Sequence, residues 1–581
     1  MPSVEAHRFT ALFRKTFAEG GRVDGAAISR LQQSARSIDD PGDRAQAESL
    51  LKLVQYDREL DDYETAPARK AMASLLGVTA QLLPAELEQV LAHAVPSANV
   101  TARHYELNFD FSADGDSFPA RARIDLDKPV DGTAILEVDS ERLAIASVLV
   151  DGKGVPYSVA DNRLHVEAPG ASSIEVRYAV TPTTDTNGYG LIRDRYTGAC
   201  WTLLWPDHTG ALFPSNASPA DGATATVTVR VGPDRTAIGP GAVDSERFHL
   251  DREVPAYAVA LYTGKKGGRA TATSESGVTV TGAELSSGIP DHVREAYVKS
   301  AAEAVDYFSS WLGPYAFGDT LNLIEVKGDF GGMENAGAIS MMVGSNSNLA
   351  FAKRCAIHET AHHWFGDNVR VASYGDLWIS EGFADYIEAR CVGHLQGEGR
   401  FQTVMDEATR KIRSAFREGA RGLALPPTSD PLEVWTSLPY SLGCWMLRSM
   451  ESRLGRDVFD PVLREWYATH KGKAASSDDL MKFVEGRTGH DFAPLLKAFN
   501  GLGDIPRLGD RSRVEGQRLL LRLDVDKPVP DGLEIPVELR GRDGEKKLVW
   551  VDPNHPEPVD AGFAITGYTL NPDNMALCEV R

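Results

Sequence analysis

The ten residues HETAHHWFGD, His358 to Asp367, concentrate three imidazoles and two carboxylates. His358 and His362 stand four apart. On an α-helix that spacing is a rotation of only about 40°, so both rings leave one face and can meet one small cation. Glu359 is turned by about 100° and lies beside the pair, near any water held there. Two imidazoles suit Zn²⁺, which in a catalytic centre takes three protein ligands and leaves a place for water. Two surface histidines on a solvated helix would spell the same letters, so the third ligand decides.

One arrangement places a histidine six residues after the second, with Gly three after it. Those positions are Asn368 and Phe365, so that pattern fails. Another takes a glutamate from the following helix. DLWISEGFADY offers Glu381, with 18 residues between it and His362. That is room to finish one helix, cross a loop through VASYGD and begin a second, with Ser380 as its cap. Asp376 is placed to accept a hydrogen bond from the outer nitrogen of a ligand histidine, or else serves as a plain loop acid. Helical geometry turns His363 away from the pair, and Asp367 belongs to the end of the helix.

A second chemical element lies upstream, in DFGGMENAG (329–337). Gly331 and Gly332 allow close backbone approach, so an extended peptide can add alongside them as a strand. Glu334 then stands where it can meet a cationic group on that peptide. Asp329 and Phe330 are candidates for lining a side-chain pocket there.

The elements that must hold these residues are legible as patterns. Residues 1–97 read as a helical extension, with apolar residues three and four apart in LLKLVQYDREL and LEQVLAHAV. Residues 98–268 alternate, as in YELNFDFS, IEVRYAV and ATVTVRV, and predict an all-β domain. The tract KKGGRATATSESG reads as a hinge. Residues 269–508 turn mainly helical after the strand-like LNLIEV. Residues 509–581 return to strand patterning and predict a small sandwich-like β domain. The fold class is multidomain α+β.

The combination of GGMEN, HETAH and WISEGFADY resembles the M1 gluzincin metallo-aminopeptidases. The spacing from Glu334 to His358 is most similar to the leukotriene A4 hydrolase branch and its bacterial relatives. The resemblance implies a saddle-like β domain and a thermolysin-like catalytic domain. It implies one zinc per chain on His358, His362 and Glu381, with Glu359 as general base. It further implies Tyr440, in LPYSLGCWMLRSM, as stabiliser of the oxyanion. Gly331, Gly332, Met333, Glu334 and Asn335 become the substrate-binding set, with Glu334 on the free α-ammonium. The implied partners are therefore peptides with a free N-terminal amine. Two positions depart from the pattern. Leu442 stands where the family often has Lys, and Leu203 falls about where many members carry a glutamine near the substrate's N-terminus. A specialised substrate at the same site, such as an epoxide, and a non-catalytic binding protein are the alternatives.

Composition narrows the setting. Acids outnumber Lys plus Arg by 82 to 61, a formal net charge of −21, which repels nucleic-acid backbones and anionic membranes. No apolar run approaches the roughly 20 residues needed to span a bilayer. The first residues carry charges where an export signal needs an apolar core, so a cytoplasmic location is expected. Five scattered cysteines without a CxxC pair fit reduced thiols.

Overall fold

The computed structural model describes residues 98–581 except 114, 242, 287, 329–330, 343–347, 426–433, 435 and 527–528; before residue 98 it describes only Ala35 and Ala47. The expected helical extension over 1–97 and the candidates Asp329 and Phe330 lie outside the described residues.

Alternation builds the first β region. In the strand Ala102–Phe111, Tyr105, Leu107, Phe109 and Phe111 are buried while their neighbours are more exposed, the period-2 pattern of a strand with one face on a core. This strand pairs parallel to Gly222–Val231 and antiparallel to Phe118–Leu126 inside a seven-stranded sheet. A four-stranded sheet holds Gly190–Arg193 and Cys200–Leu203, and its apolar residues share one core with the first sheet. The tract expected to be a hinge is shorter than its composition suggested. Arg269–Thr273 is a strand paired antiparallel to Thr279–Glu284, leaving only the residues before it as a connection.

A five-stranded sheet follows, and its last two strands position the site. Ala338–Met342 pairs parallel to Thr320–Glu325, and the short strand Gly331–Met333 pairs antiparallel to Ala338–Met342 at the sheet edge. An edge strand keeps one row of backbone donors and acceptors for another chain. Helix α1 (Asp291–Trp311) packs on this sheet and on helix α2 (Leu349–Ala361). Asn348 caps α2, accepting from the Ala350 N–H at 2.8 Å.

Helix α3 (Trp378–Gln396) follows α2 after a loop and runs through the interior, with most of its first fifteen residues buried. Helix α4 (Glu398–Arg417) turns back along it. A π-helical turn, Leu438–Leu442, leads into helix α5 (Gly443–Leu454). α3 and α5 meet at two glycines. A Cβ on Gly382 would come within 2.6 Å of the Gly443 Cα, so only hydrogen at both positions permits this approach, which carries the π turn to the site. Helices α6 (Arg456–His470), α7 (Ser477–Thr488) and α8 (Ala493–Gly501) complete the helical part.

Strands from Arg507 onward form three small sheets. Their apolar residues, among them Leu508, Ile535 and Val537, belong to the same core cluster as α3 and α5. The five cysteines are free thiols. Among the described residues, no helix is long and apolar enough to cross a membrane.

Candidate metal and peptide site

His358 and Glu359 sit on the last turn of α2, and His362 caps it. Glu381 lies in the first turn of α3. The four side chains meet with their outer atoms already anchored. His362 Nδ1 lies 3.0 Å from the Phe365 carbonyl oxygen, and His358 Nδ1 lies 3.0 Å from Asp385 Oδ1. An acceptor thus faces each Nδ1, and a proton held there leaves a lone pair on each Nε2.

Those two Nε2 atoms are 3.2 Å apart. Glu381 Oε2 is 3.2 Å from His362 Nε2 and 3.5 Å from His358 Nε2, buried and without a hydrogen-bond donor among the described residues. Three potential ligand atoms thus converge within 3.5 Å of one another. Two imidazoles drawn around one carboxylate are the donor set of a catalytic zinc site. The residues therefore fit the ion.

Glu359 is buried beside this cluster. Burial lifts its carboxyl to about 7, against the opposing pull of His358 and His362, into the range useful to a general base. The Tyr440 ring stacks on His358, with centroids 6.3 Å apart and planes 18° off parallel, and its hydroxyl reaches Glu381. Burial and the surrounding carboxylates keep that phenol protonated, hence a donor.

The edge strand lies against α2. A Cβ on Gly332 would stand 2.4 Å from Glu359 Oε1 and 2.5 Å from its Cγ. Glycine here is what lets the strand and the acid share the space. Met333 and Glu334 line the same cavity, of about 990 Å³, which reaches Tyr189, Leu203 and Trp205 on the β-region side. Glu334 is buried. Tyr257 lies within hydrogen-bonding reach of it, yet its Oε1 has no donor among the described residues. Burial raises its carboxyl, with His362 opposing. A buried acceptor without a donor at a sheet edge suits an incoming ammonium.

Several expectations are placed differently by the structure. Asn335 faces away from the cavity, and its amide donates to the Tyr262 hydroxyl at 2.9 Å and to Ser340 Oγ at 3.3 Å. It holds the turn after Glu334 rather than the substrate path. Asp376 does not support a ligand histidine. Its Oδ1 accepts from the Ser477 backbone at 2.8 Å and hydroxyl at 2.6 Å, tying the loop before α3 to α7. Ser380 is not a cap, because α3 begins at Trp378; its hydroxyl is 3.2 Å from His362 Nδ1. Leu442 is fully buried in the π turn.

His363 is not a ligand, but neither is it idle. The Gly337 N–H donates to its Nε2 at 2.8 Å, and its Nδ1 faces the Glu359 carbonyl at 3.3 Å. Burial pulls its pKa down to about 3, so it stays neutral and fastens the GGMENAG turn to α2. Asp385 and Tyr257 were not singled out by sequence reasoning. Asp385 follows Glu381 by one helical turn, a spacing that could have drawn attention to it. Nothing local marks Tyr257.

All of α2, α3, the π turn and the edge strand fall within residues 297–499, which match the Peptidase family M1 domain. That segment is similar to an M1 peptidase domain. Around that domain, the similarity extends well into the β region. "Probable aminopeptidase 2" of Sulfurisphaera tokodaii is 23% identical over 521 residues, covering 83% of this chain and 64% of that protein. "Tricorn protease-interacting factor F2" of Thermoplasma acidophilum is 24% identical over 412 residues, 66% of this chain and 51% of that one. The chain thus spans about half to two thirds of the length of these curated relatives. Two solved structures share the fold. A mutant M1 zinc metallopeptidase from Deinococcus radiodurans, bound to a Tyr-Ser-Ala substrate, is similar with a TM-score of 0.59 at 23% identity, over 69% of this chain and 94% of its own. Legionella pneumophila aminopeptidase A, with aspartic acid, gives 0.68 at 16% identity, over 84% of this chain and 60% of that one.

Proposed function

We propose that the chain is a zinc aminopeptidase that removes the first residue of peptides with a free amino terminus. The convergence of His358 Nε2, His362 Nε2 and Glu381 Oε2 on one point is the observation that carries this reading. The aminopeptidase names of its relatives and the M1 domain support it. When bound there, zinc supplies Lewis acidity to the substrate carbonyl and lowers the pKa of water.

The protein's own groups do the rest. The free edge of Gly331–Met333 receives the substrate backbone as an added strand. Glu334 Oε1 accepts from the α-ammonium, which fixes the bond to be cut one residue from the end, because an internal peptide bond has no ammonium nearby. Glu359 takes the proton of the attacking water and returns it to the leaving nitrogen. The Tyr440 hydroxyl donates to the carbonyl oxygen as negative charge develops on it. Asn335 has no place in this scheme beyond shaping the turn.

A paired assay tests the reading. Short peptides should lose their first residue, and the N-acetylated versions should be inert. Equal cleavage of both would remove Glu334 from its role and point to an endopeptidase. Glu359→Gln should keep its zinc and lose turnover.

A further inference from the structure

The two histidines of the metal cluster are backed differently. His362 Nδ1 faces neutral partners, the Phe365 carbonyl at 3.0 Å and Ser380 Oγ at 3.2 Å. His358 Nδ1 faces two carboxylates, Asp385 Oδ1 at 3.0 Å and Glu388 Oε2 at 3.6 Å. The two acids are not equivalent. Arg354 Nε binds Glu388 Oε1 at 2.5 Å, and the same guanidinium also binds Glu407. Glu388 is therefore spoken for by a cation that is itself held from a second side. Among the described residues, Asp385 has no basic partner; its close contact is the His358 ring.

His358, Asp385 and Glu388 could be mistaken for a second metal site, since their ligand atoms also cluster. Two features argue against that. The Arg354 guanidinium already neutralises Glu388 and would repel a dication. His358 also has only one lone pair to give, and Nε2 points at His362 and Glu381.

We propose that Asp385 is a positioning residue for zinc: it holds the proton on His358 Nδ1, aims Nε2 into the cluster, and makes that imidazole the more strongly donating of the pair. The inference rests on the zinc reading above. An anion behind a ligand imidazole raises its basicity, and loss of such partners commonly weakens metal affinity by about 10–100-fold. Glu388 is the more distant carboxylate, its Oε2 3.6 Å from Nδ1 while its Oε1 is held by Arg354.

The test measures zinc affinity of the full chain by chelator competition for wild type, Asp385→Ala and Asp385→Asn. Unfolding of each metal-free protein and the visible spectrum of each cobalt-substituted protein are measured in parallel. The expected result is affinity weakened about 10–100-fold in the Ala variant and less in Asn, whose amide oxygen still accepts from Nδ1–H. The cobalt spectrum should change in Ala, while the metal-free unfolding midpoints stay together. Affinity in the Ala variant within about twofold of wild type would overturn the assignment, being far below the loss such partners cause. An equal loss in both variants, accompanied by lowered metal-free stability, would overturn it too. If wild type itself takes up no zinc, the zinc reading fails instead, and the two failures are told apart by that control.

Discussion

Gly332→Ala is a small change that should disable this site without replacing a ligand or the base. The added methyl would sit 2.4 Å from Glu359 Oε1 and 2.5 Å from both Cδ and Cγ. Non-bonded carbon atoms settle at about 3.5–4.0 Å, so the contact is short by roughly 1 Å. A rotation of the terminal carboxylate cannot relieve it, because Cγ is as close as the oxygen. The whole Glu359 side chain must move, or the edge strand must lift from α2. A misplacement of about 1 Å can cost roughly 10²-fold in rate, which is about 2.7 kcal/mol of transition-state stabilisation. All three of the nearest atoms belong to Glu359 and none to His358, His362 or Glu381. The assay is steady-state turnover of a leucine amide together with zinc content per chain. The expected result is a fall of about 100-fold in kcat with zinc retained. Full activity in the alanine variant would refute the claim that Gly332 and Glu359 share one space. Loss of zinc along with activity would show that the perturbation reaches the metal cluster rather than the base.

Other outcomes follow from the same geometry. Tyr440→Phe should lower kcat by about 10²–10³-fold, the usual cost of removing one oxyanion donor, while chelator competition shows unchanged zinc affinity. Asp376→Ala should lower thermal stability, because it strands the Ser477 backbone and hydroxyl that Asp376 now accepts from, yet leave zinc affinity as it was; a loss of affinity would restore Asp376 to the metal site. On the β-region side the cavity wall is Tyr189, Leu203 and Trp205. A panel of aminoacyl amides should therefore favour apolar first residues over charged ones, since burying an unpaired charge there is costly; a preference for Arg, Lys, Asp or Glu would contradict this.

The parts of the site that were legible in the sequence are those set by local geometry. The four-residue step from His358 to His362 follows from helix pitch, and the reach to Glu381 from the length of a helix–loop–helix connection. Alternation in YELNFDF placed the strand Ala102–Phe111 and its buried face. What sequence could not show depends on which elements touch. Asp376 looked like a support for a histidine because it lies near Glu381 in the chain, but α7 reaches it first through Ser477. Asp385 stands one turn beyond Glu381, and only the crossing of α2 over α3 reveals that it faces His358 rather than solvent. The motif sets Asn335 beside the substrate-binding residues, whereas the turn after Glu334 sends its amide to Tyr262, a residue far away in sequence. The hinge tract was rich in Gly and Ser, yet its second half found a partner strand, which outweighs composition. His363 showed its role only once the Gly337 N–H was seen to point at it.

The most direct measurement is anomalous diffraction at the zinc edge from crystals of the full chain. One peak should appear, among His358 Nε2, His362 Nε2 and Glu381 Oε2, with His358 Nδ1 still on Asp385. A peak instead between His358 Nδ1, Asp385 and Glu388, or none after zinc is supplied, would contradict a zinc aminopeptidase built on these three ligands.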